Sequence, residues 1–489
     1  MFFNSFSYAL FLTIVFVIYW ALPGKYRWIC LLGVSYYFYT SFGVKYVLLL
    51  VATTIISYFG ALLIEKADNR RWKKTILVGN VVVFVGALVA FKYLNFLSET
   101  ICGLLGVFSI KLSAPAIRLM IPVGISFYIF QSLGYVIDVY NDRIKAEHHL
   151  GYYALFVSFF PQITSGPIGR ADKLLPQYKN EPLFDSSKAR MGLAYIIVGL
   201  YKKLVVGDLL VPYIDKAFTS YADFSGGGAL LIGAIFFAIQ IYCDFSGYSD
   251  MAIGSAKVLG IDFVENFRSP YLATSLKDFW RRWHISLSTW FRDYLYIPLG
   301  GSRCATWRRD CNLVITFLIS GAWHGANWTY IVWGGLHGLG QVIENHLKTV
   351  FVKAYDISKN RILLCVRRVL NTIVVFIYCT FAWIFFRADT IQGALKYIVN
   401  IPRGCTHVGD YIKRGIGDLG ILGNIRMVYI LMVICILAVV DILNHDGRMY
   451  EKLMKLPVIP RILICSCFAA FTCIFAQKGV AAEFVYVQF

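Results

Sequence analysis

The fold class this sequence predicts is an all-α, polytopic membrane protein, and three observations carry it. Hydrophobic residues fill 58% of its 489 positions and charged ones only 15%; with a mean hydropathy of +0.63, that balance does not suit a soluble domain. Apolar runs of about 17 to 25 residues, the length that crosses a bilayer, recur along the chain. The short alternating segments of a β-barrel are missing, and backbone facing lipid must then satisfy itself within a helix.

Taken in order, the first runs are "FSYALFLTIVFVIYWAL", "VLLLVATTIISYFGALLI" and "TILVGNVVVFVGALVAFKYLNFL". Further candidates fall near 119–137, 151–168, 191–206, 229–243, 311–319, 329–343, 369–386, 427–443 and 460–476. Some are short or broken, so the expectation is about 11 transmembrane helices plus re-entrant or interfacial ones around a central funnel. Between Arg27 and Glu65 the chain is expected to go out and return, as two halves separated by "TSFGVKY".

Basic residues outnumber acidic ones 47 to 28, a net charge of +19. In a soluble chain this would suggest nucleic acid, but no nucleic-acid motif accompanies it. The charge sits in short loops such as "EKADNRRWKK" and "VKAYDISKNRILLCVRR", which are retained in the cytoplasm and meet anionic lipid. Residues 1–24 hold no Lys or Arg, and Lys25 and Arg27 follow the first run directly. The reading is therefore a multi-pass protein of the cytoplasmic membrane with its N-terminus outside and, lacking a basic n-region, with its first span retained. The twelve cysteines form no C-x-x-C pair and read as small buried hydrophobes.

Texture divides the chain into peripheral helices (1–140), a core (141–345) and C-terminal helices (346–489), taken together as one membrane domain. Polar residues interrupt the core's apolar runs, as at "FFPQITSGPIGRADKLLPQ" and at Asp244, Ser246, Ser249 and Asp250 of "IFFAIQIYCDFSGYSDMAIGSAKVLG". Each ionisable group at membrane depth costs about 2.5–3.5 kcal/mol, so these face a protein interior or a wet cavity, and a site belongs here. Along "ATSLKDFWRRWHISLSTWFRDYLYIPLGG" a continuous helix would put Trp280, His284 and Ser288 on one face.

"GAWHGANW" places His324 in an apolar setting, where a neutral imidazole accepts a proton as a general base does. The alternative is a structural histidine bonded to a neighbouring helix. If the helix ran on, Ser320, Asn327 and Trp328 would share its face; Gly321 and Gly325 leave room for a ligand or a neighbouring backbone. His337 is the nearest second imidazole. On one continuous helix, however, thirteen residues mean about 20 Å of rise and about 220° of rotation, so His284 is the better partner. Ser320, Trp323, Asn327, Asp244 and Ser288 complete the candidate lining. H-E-x-x-H, P-loop and G-x-S-x-G patterns are absent. Asp244 and Asp250 offer too few oxygens for a hard-metal pair, so no metal is assigned.

"QIYCDFSGYSDMAIG", "ENFRSPYLATSLKDFWRRWHISLSTWFRDYLYIPLGG" and "GAWHGANWTYIVWGGLHG" together resemble the signature blocks of the membrane-bound O-acyltransferase family. "PVGISFYIFQSLGYVIDVY", "FVSFFPQITSGPIGR" and the ending "EFVYVQF" resemble that family's bacterial alginate O-acetylation branch. The resemblance implies a catalytic His324 deep in the membrane, with His284 as the second functional position. It also implies a cytoplasmic thioester donor, expected to be acetyl-CoA with no tightly bound cofactor, and an acceptor approaching from the opposite face. The final acceptor would be an extracellular or cell-wall polysaccharide, reached through an extracytoplasmic SGNH-type acetyltransferase partner. D-alanyl transfer toward teichoic acid and a non-catalytic acyl or lipid-carrier transporter are the competing readings.

Overall fold

The computed structural model describes residues 1–110, 120–220, 223–351, 361–421 and 423–476. The ending "EFVYVQF" and the 352–360 part of the second basic loop lie outside these residues. Among the described residues every regular element is helical, and the chain forms two compact units.

The first unit comprises Met1–Leu193 and Ala252–Val264. Its helices include α1 (Phe6–Ala21), α2 (Gly24–Thr40), α3 (Val44–Lys66), α4 (Arg70–Val107, through one π turn), α5 (Ile125–Tyr140) and α6 (Leu150–Ser158). The expected break between Arg27 and Glu65 falls at Ser41–Gly43, where Gly43 takes a φ of +135° that favours a residue without a Cβ. Tyrosines tie the unit together. Tyr8 donates to Ser255 Oγ (2.8 Å), Tyr39 to the Val123 carbonyl (2.9 Å) and Tyr153 to Ser57 Oγ (2.7 Å). In an apolar bundle a buried phenol needs such an acceptor, and the bonds fix α1 to the helix that carries Ser255, α6 to α3, and α2 to the turn that leads into α5.

The second unit comprises Ala194–Met251 and the chain from Glu265 onward. It is built on α7 (Gly228–Val258), α8 (Leu276–Arg282), α9 (Ile285–Phe291), α10 (Thr306–His324), α11 (Trp328–Phe351), α12 (Arg361–Arg387), α13 (Ile425–Leu443) and α14 (Val458–Phe475). Residues of α7 up to Met251 belong here, and those from Ala252 belong to the first unit.

Among the described residues six helices are long and apolar enough to cross a membrane: α3, α4, α7, α12, α13 and α14. This is fewer than the number of apolar runs suggests, for local reasons. The run at 151–168 is helical only to Ser158 and continues as turns; that at 191–206 passes into a π-helix at Tyr201–Gly207. The run at 311–319 belongs to α10, which opens on the charged "TWRRD".

The π-helix explains how α7 carries charge inside an apolar unit. Lys203 Nζ lies 2.6 Å from Asp244 and 3.0 Å from Asp208, and Lys202 Nζ lies 2.7 Å from Asp250. Tyr242 donates to Asp441 at 2.6 Å. All these side chains are buried: the two lysines meet Asp208, Asp244 and Asp250, the opposite charges that their desolvation requires, and Asp441 accepts from the Tyr242 phenol. Glycines permit the approach: a Cβ on Gly199 would stand 2.6 Å from the Gly247 carbonyl oxygen.

Candidate active site

α10 ends on His324 because Gly325 is fully extended (φ −171°, ψ 157°). Ala326 and Asn327 turn the chain, and α11 runs back against α10. Gly321 and Gly334 make this contact possible, since a Cβ on Gly321 would overlap the Tyr330 carbonyl oxygen and one on Gly334 that of Phe317. The neighbouring backbone thus fills the room expected beside Gly321. Asn327 does not share a helical face with His324. Its Oδ1 accepts from the Thr329 N–H (3.0 Å), capping α11, and its Nδ2 donates to the Asp389 carbonyl (2.8 Å). Trp328, expected on the same face, is 48% exposed.

His324 is buried in an aromatic box. Its ring meets Trp333 at 5.0 Å, Trp323 at 5.1 Å and Phe386 at 5.4 Å between centroids. The ring of His284 lies 6.5 Å away and that of Trp323 lies 6.1 Å from His284. Two imidazoles forty positions apart in sequence therefore share one buried aromatic enclosure.

His284 is not in a continuous helix with Trp280 and Ser288. α8 stops at Arg282, Trp283 is extended, and His284 adopts a left-handed backbone (φ 44°, ψ 55°) before α9 begins. Asn266 holds this break. Its carbonyl accepts from Ile285 N–H at 2.9 Å, and its Oδ1 accepts from Ser286 N–H (3.2 Å) and Ser286 Oγ (2.8 Å). His284 Nδ1 lies 3.1 Å from the same Oδ1, and Asn266 Nδ2 donates to Ser249 Oγ at 3.0 Å.

His337 is also close. The ground for setting it aside, one continuous helix from 324 to 337, fails at Gly325–Asn327. Trp333 separates the two imidazoles, with its ring 5.1 Å from that of His337. His337 Nδ1 accepts from Trp280 Nε1 at 3.2 Å.

Ser320 and Ser288 line a cavity of about 700 Å³ together with Lys277, Arg281, Arg292 and Arg309. Four cations facing one cavity, one turn of α10 before His324, are suited to an anionic ligand. Asp244, the other polar candidate, is committed to Lys203.

The sequence pattern of the membrane-bound O-acyltransferase family matches residues 140–386, a stretch that contains every residue of this site. The chain belongs to the membrane-bound O-acyltransferase family. This O-acyltransferase, a multi-pass membrane protein, is 36% identical to the probable alginate O-acetylase AlgI of Azotobacter vinelandii over 431 residues, 87% of this chain and 82% of that one. It is 38% identical to the protein of the same name from Pseudomonas aeruginosa (79% and 72% covered). It is 32% identical to the peptidoglycan O-acetyltransferase of Helicobacter pylori (74% and 71%).

Two features of the acyltransferase's site region escape sequence reasoning. Asn266 sits in the quoted "ENFRSPY" stretch, where nothing local distinguishes it. Lys202 and Lys203 do carry a signal, since two adjacent lysines interrupt the apolar "AYIIVGLYKKLVV", and charge at that depth requires partners.

Proposed function

We propose that this acyltransferase moves acetyl groups from a cytoplasmic thioester, acetyl-CoA, across the membrane for O-acetylation of an extracellular or cell-wall polysaccharide. The observation that carries the reading is the buried pair His284 and His324, 6.5 Å apart, with the cation-lined cavity one helical turn away. The alginate and peptidoglycan acetylation named for its relatives supports the acetyl group and the polymer class.

In this reading His324 takes the proton of the acceptor hydroxyl as its oxygen attacks the thioester carbonyl. The C–S bond breaks, and the imidazolium returns the proton to the departing thiolate. Lys277, Arg281, Arg292 and Arg309 hold the donor's phosphates, with Ser320 and Ser288 beside its acyl arm. Trp323 walls both imidazoles. The N-terminus faces outside, and a separate SGNH-type protein there receives the acetyl group and completes its transfer to the polymer.

Proteoliposomes supplied with labelled acetyl-CoA on one face and the extracytoplasmic partner on the other test the proposal. Label should reach the partner with the parental protein and not with His324→Ala at equal protein level. Transfer undiminished in His324→Ala removes the catalytic role. Transfer of D-alanine from a carrier thioester in place of acetyl assigns the teichoic-acid reaction, and passage of an intact carrier without acyl transfer assigns a transporter.

A further inference from the structure

Asn266 fixes which nitrogen of His284 carries the proton. A backbone N–H can only donate, so the Asn266 atom that receives Ser286 N–H is necessarily the amide oxygen. Ser286 Oγ lies 2.8 Å from the same atom and Ser249 Oγ 3.0 Å from the amide nitrogen, as that orientation requires. His284 Nδ1 faces this oxygen at 3.1 Å. An oxygen without a proton accepts only, so Nδ1 donates and a neutral His284 keeps its lone pair on Nε2.

We propose that Asn266 is a positioning residue that holds His284 as its Nδ1–H tautomer, so that His284 meets the reactants through Nε2 as a hydrogen-bond acceptor. The inference rests on the reading of the His284–His324 pair as the reaction centre. It excludes one role a second histidine often fills, donation to the oxyanion of the tetrahedral intermediate, because the only N–H of the neutral ring is engaged by Asn266. Before the attack His284 Nε2 instead accepts a hydrogen bond from the incoming hydroxyl and aligns its oxygen on the acyl carbon; as the C–O bond forms that one proton passes to His324, which returns it to the thiolate as the C–S bond breaks.

The backbone agrees with this assignment. His284 stands in a left-handed conformation that is unfavourable for a residue with a Cβ, and the Asn266 carbonyl and side chain together bind the next two amides. One asparagine thus holds both the turn and the ring. A purely structural Asn266 would cap α9 and leave the tautomer of His284 without consequence.

His337 supplies an internal contrast. Its Nδ1 faces the indole N–H of Trp280 at 3.2 Å, and an indole N–H only donates, so His337 is the opposite, Nε2–H tautomer.

Nitrogen-15 NMR of the full-length protein, labelled at its eight histidines and held in nanodiscs, tests the assignment without any turnover. The signals lost in His284→Ala should show a protonated Nδ1 and an unprotonated Nε2, and those lost in His337→Phe the reverse. A protonated Nε2 with a bare Nδ1 at His284 overturns the proposal whether or not the enzyme is active. The kinetic arm uses Asn266→Asp, which keeps the accepting oxygen and the cap but places a carboxylate against Nδ1–H. The acidic limb of its rate–pH profile should move to higher pH, because the carboxylate favours the imidazolium. Asn266→Ala should lower kcat by between about 10²- and 10⁴-fold, the range for correctly placed proton transfer, with KM for the donor little changed. An unmoved acidic limb in Asn266→Asp leaves Asn266 a helix cap only. Loss of activity in Asn266→Ala that Asn266→Asp fully rescues with the parental profile likewise reduces Asn266 to a cap. A confirmed tautomer in a protein whose His324→Ala variant still transfers acetyl would sink the reaction-centre reading and leave the orientation standing.

Discussion

The indole of Trp333 meets the imidazole of His324 almost at a right angle, 88° between planes and 5.0 Å between centroids. The same indole stacks on Trp383 at 5.3 Å and touches Phe386 at 5.1 Å. It is therefore the wall that keeps His324 in one orientation. Its Nε1 has no hydrogen-bond partner among the described residues, so the contribution is shape. Trp333→Phe should retain most acyl transfer. Trp333→Ala removes a large buried ring, costs about 3–5 kcal/mol of stability and should abolish transfer. Equal activity of the two variants at matched protein level would refute the wall.

The cations of the 700 Å³ cavity are not equivalent. Arg292 and Arg309 each pair with the aspartate that follows them, at 2.7 and 2.8 Å, whereas Arg281 and Lys277 make no ion pair among the described residues. Arg281 should then contribute most to an anionic donor. Arg281→Ala is expected to raise KM for acetyl-CoA by about tenfold or more, the value of one charge-assisted hydrogen bond, while kcat holds. An acetyl-pantetheine donor, which lacks the nucleotide phosphates, should not register the change. A similar KM increase for both donors would place the phosphates elsewhere.

Lys203 bridges Asp244 and Asp208 with no exposed surface of its own. Lys203→Met leaves two buried carboxylates facing each other without a cation, a loss of about 3–5 kcal/mol that should appear as reduced yield and a lower unfolding midpoint in detergent. Combining it with Asp244→Asn and Asp208→Asn should restore most of the midpoint. If the triple variant is no more stable than the single one, the charges are not what holds the π-helix to α7.

The helical class was legible because composition and apolar run length act over the whole chain, and the burial of His324 was legible because its imidazole stands among the apolar and small residues of "GAWHGANW". The helix registers drawn through His284 and through His324 were not legible. No Pro or Gly marks the break at Trp283–His284; it is held by Asn266, remote in sequence, whose bonds no local pattern announces. At Gly325 a glycine was visible, but only the cap from Asn327 and the packing of Gly321 on Tyr330 decide that the chain turns there. His284 is preferred to His337 on a continuous-helix premise that fails at Gly325–Asn327, and the family resemblance alone makes His284 the second functional position.

Asp262, in the loop after α7, offers a test of stability against pH. Partial burial pushes its carboxyl up, but hydrogen bonds from Lys188 and Lys257, both 2.7 Å long, more than offset this and hold it below the ordinary aspartate value. A pKa lower in the folded than in the unfolded chain stabilises fully above the unfolded value, about 3.9, and the contribution is lost as pH falls through the lowered folded value. Asp262→Asn should therefore lower the unfolding midpoint at neutral pH, and the gap from the parental protein should close in acid. A gap that persists undiminished as the carboxylate is protonated in acid would point to packing in place of charge. With the carboxylate half exposed, the effect should be small.

Gly321 makes the most restrictive demand near His324. A Cβ there would run into the Tyr330 carbonyl and stand 3.1 Å from its carbon, and backbone cannot swing aside as a side chain does. Gly321→Ala must push α10 away from α11, at about 1–3 kcal/mol for an overpacked contact, and His324 lies on the next turn of α10. Gly335 is the control on the facing helix. A Cβ there meets only the Leu318 Cδ2 at 3.3 Å, the end of a flexible side chain. Gly335→Ala should keep near-parental transfer, whereas Gly321→Ala should lose most of it even at temperatures where the protein remains folded. Thermal unfolding and acetyl transfer measured on the same preparations separate the two effects. Full activity in Gly321→Ala would mean that the close approach of α10 and α11 does not set the position of His324.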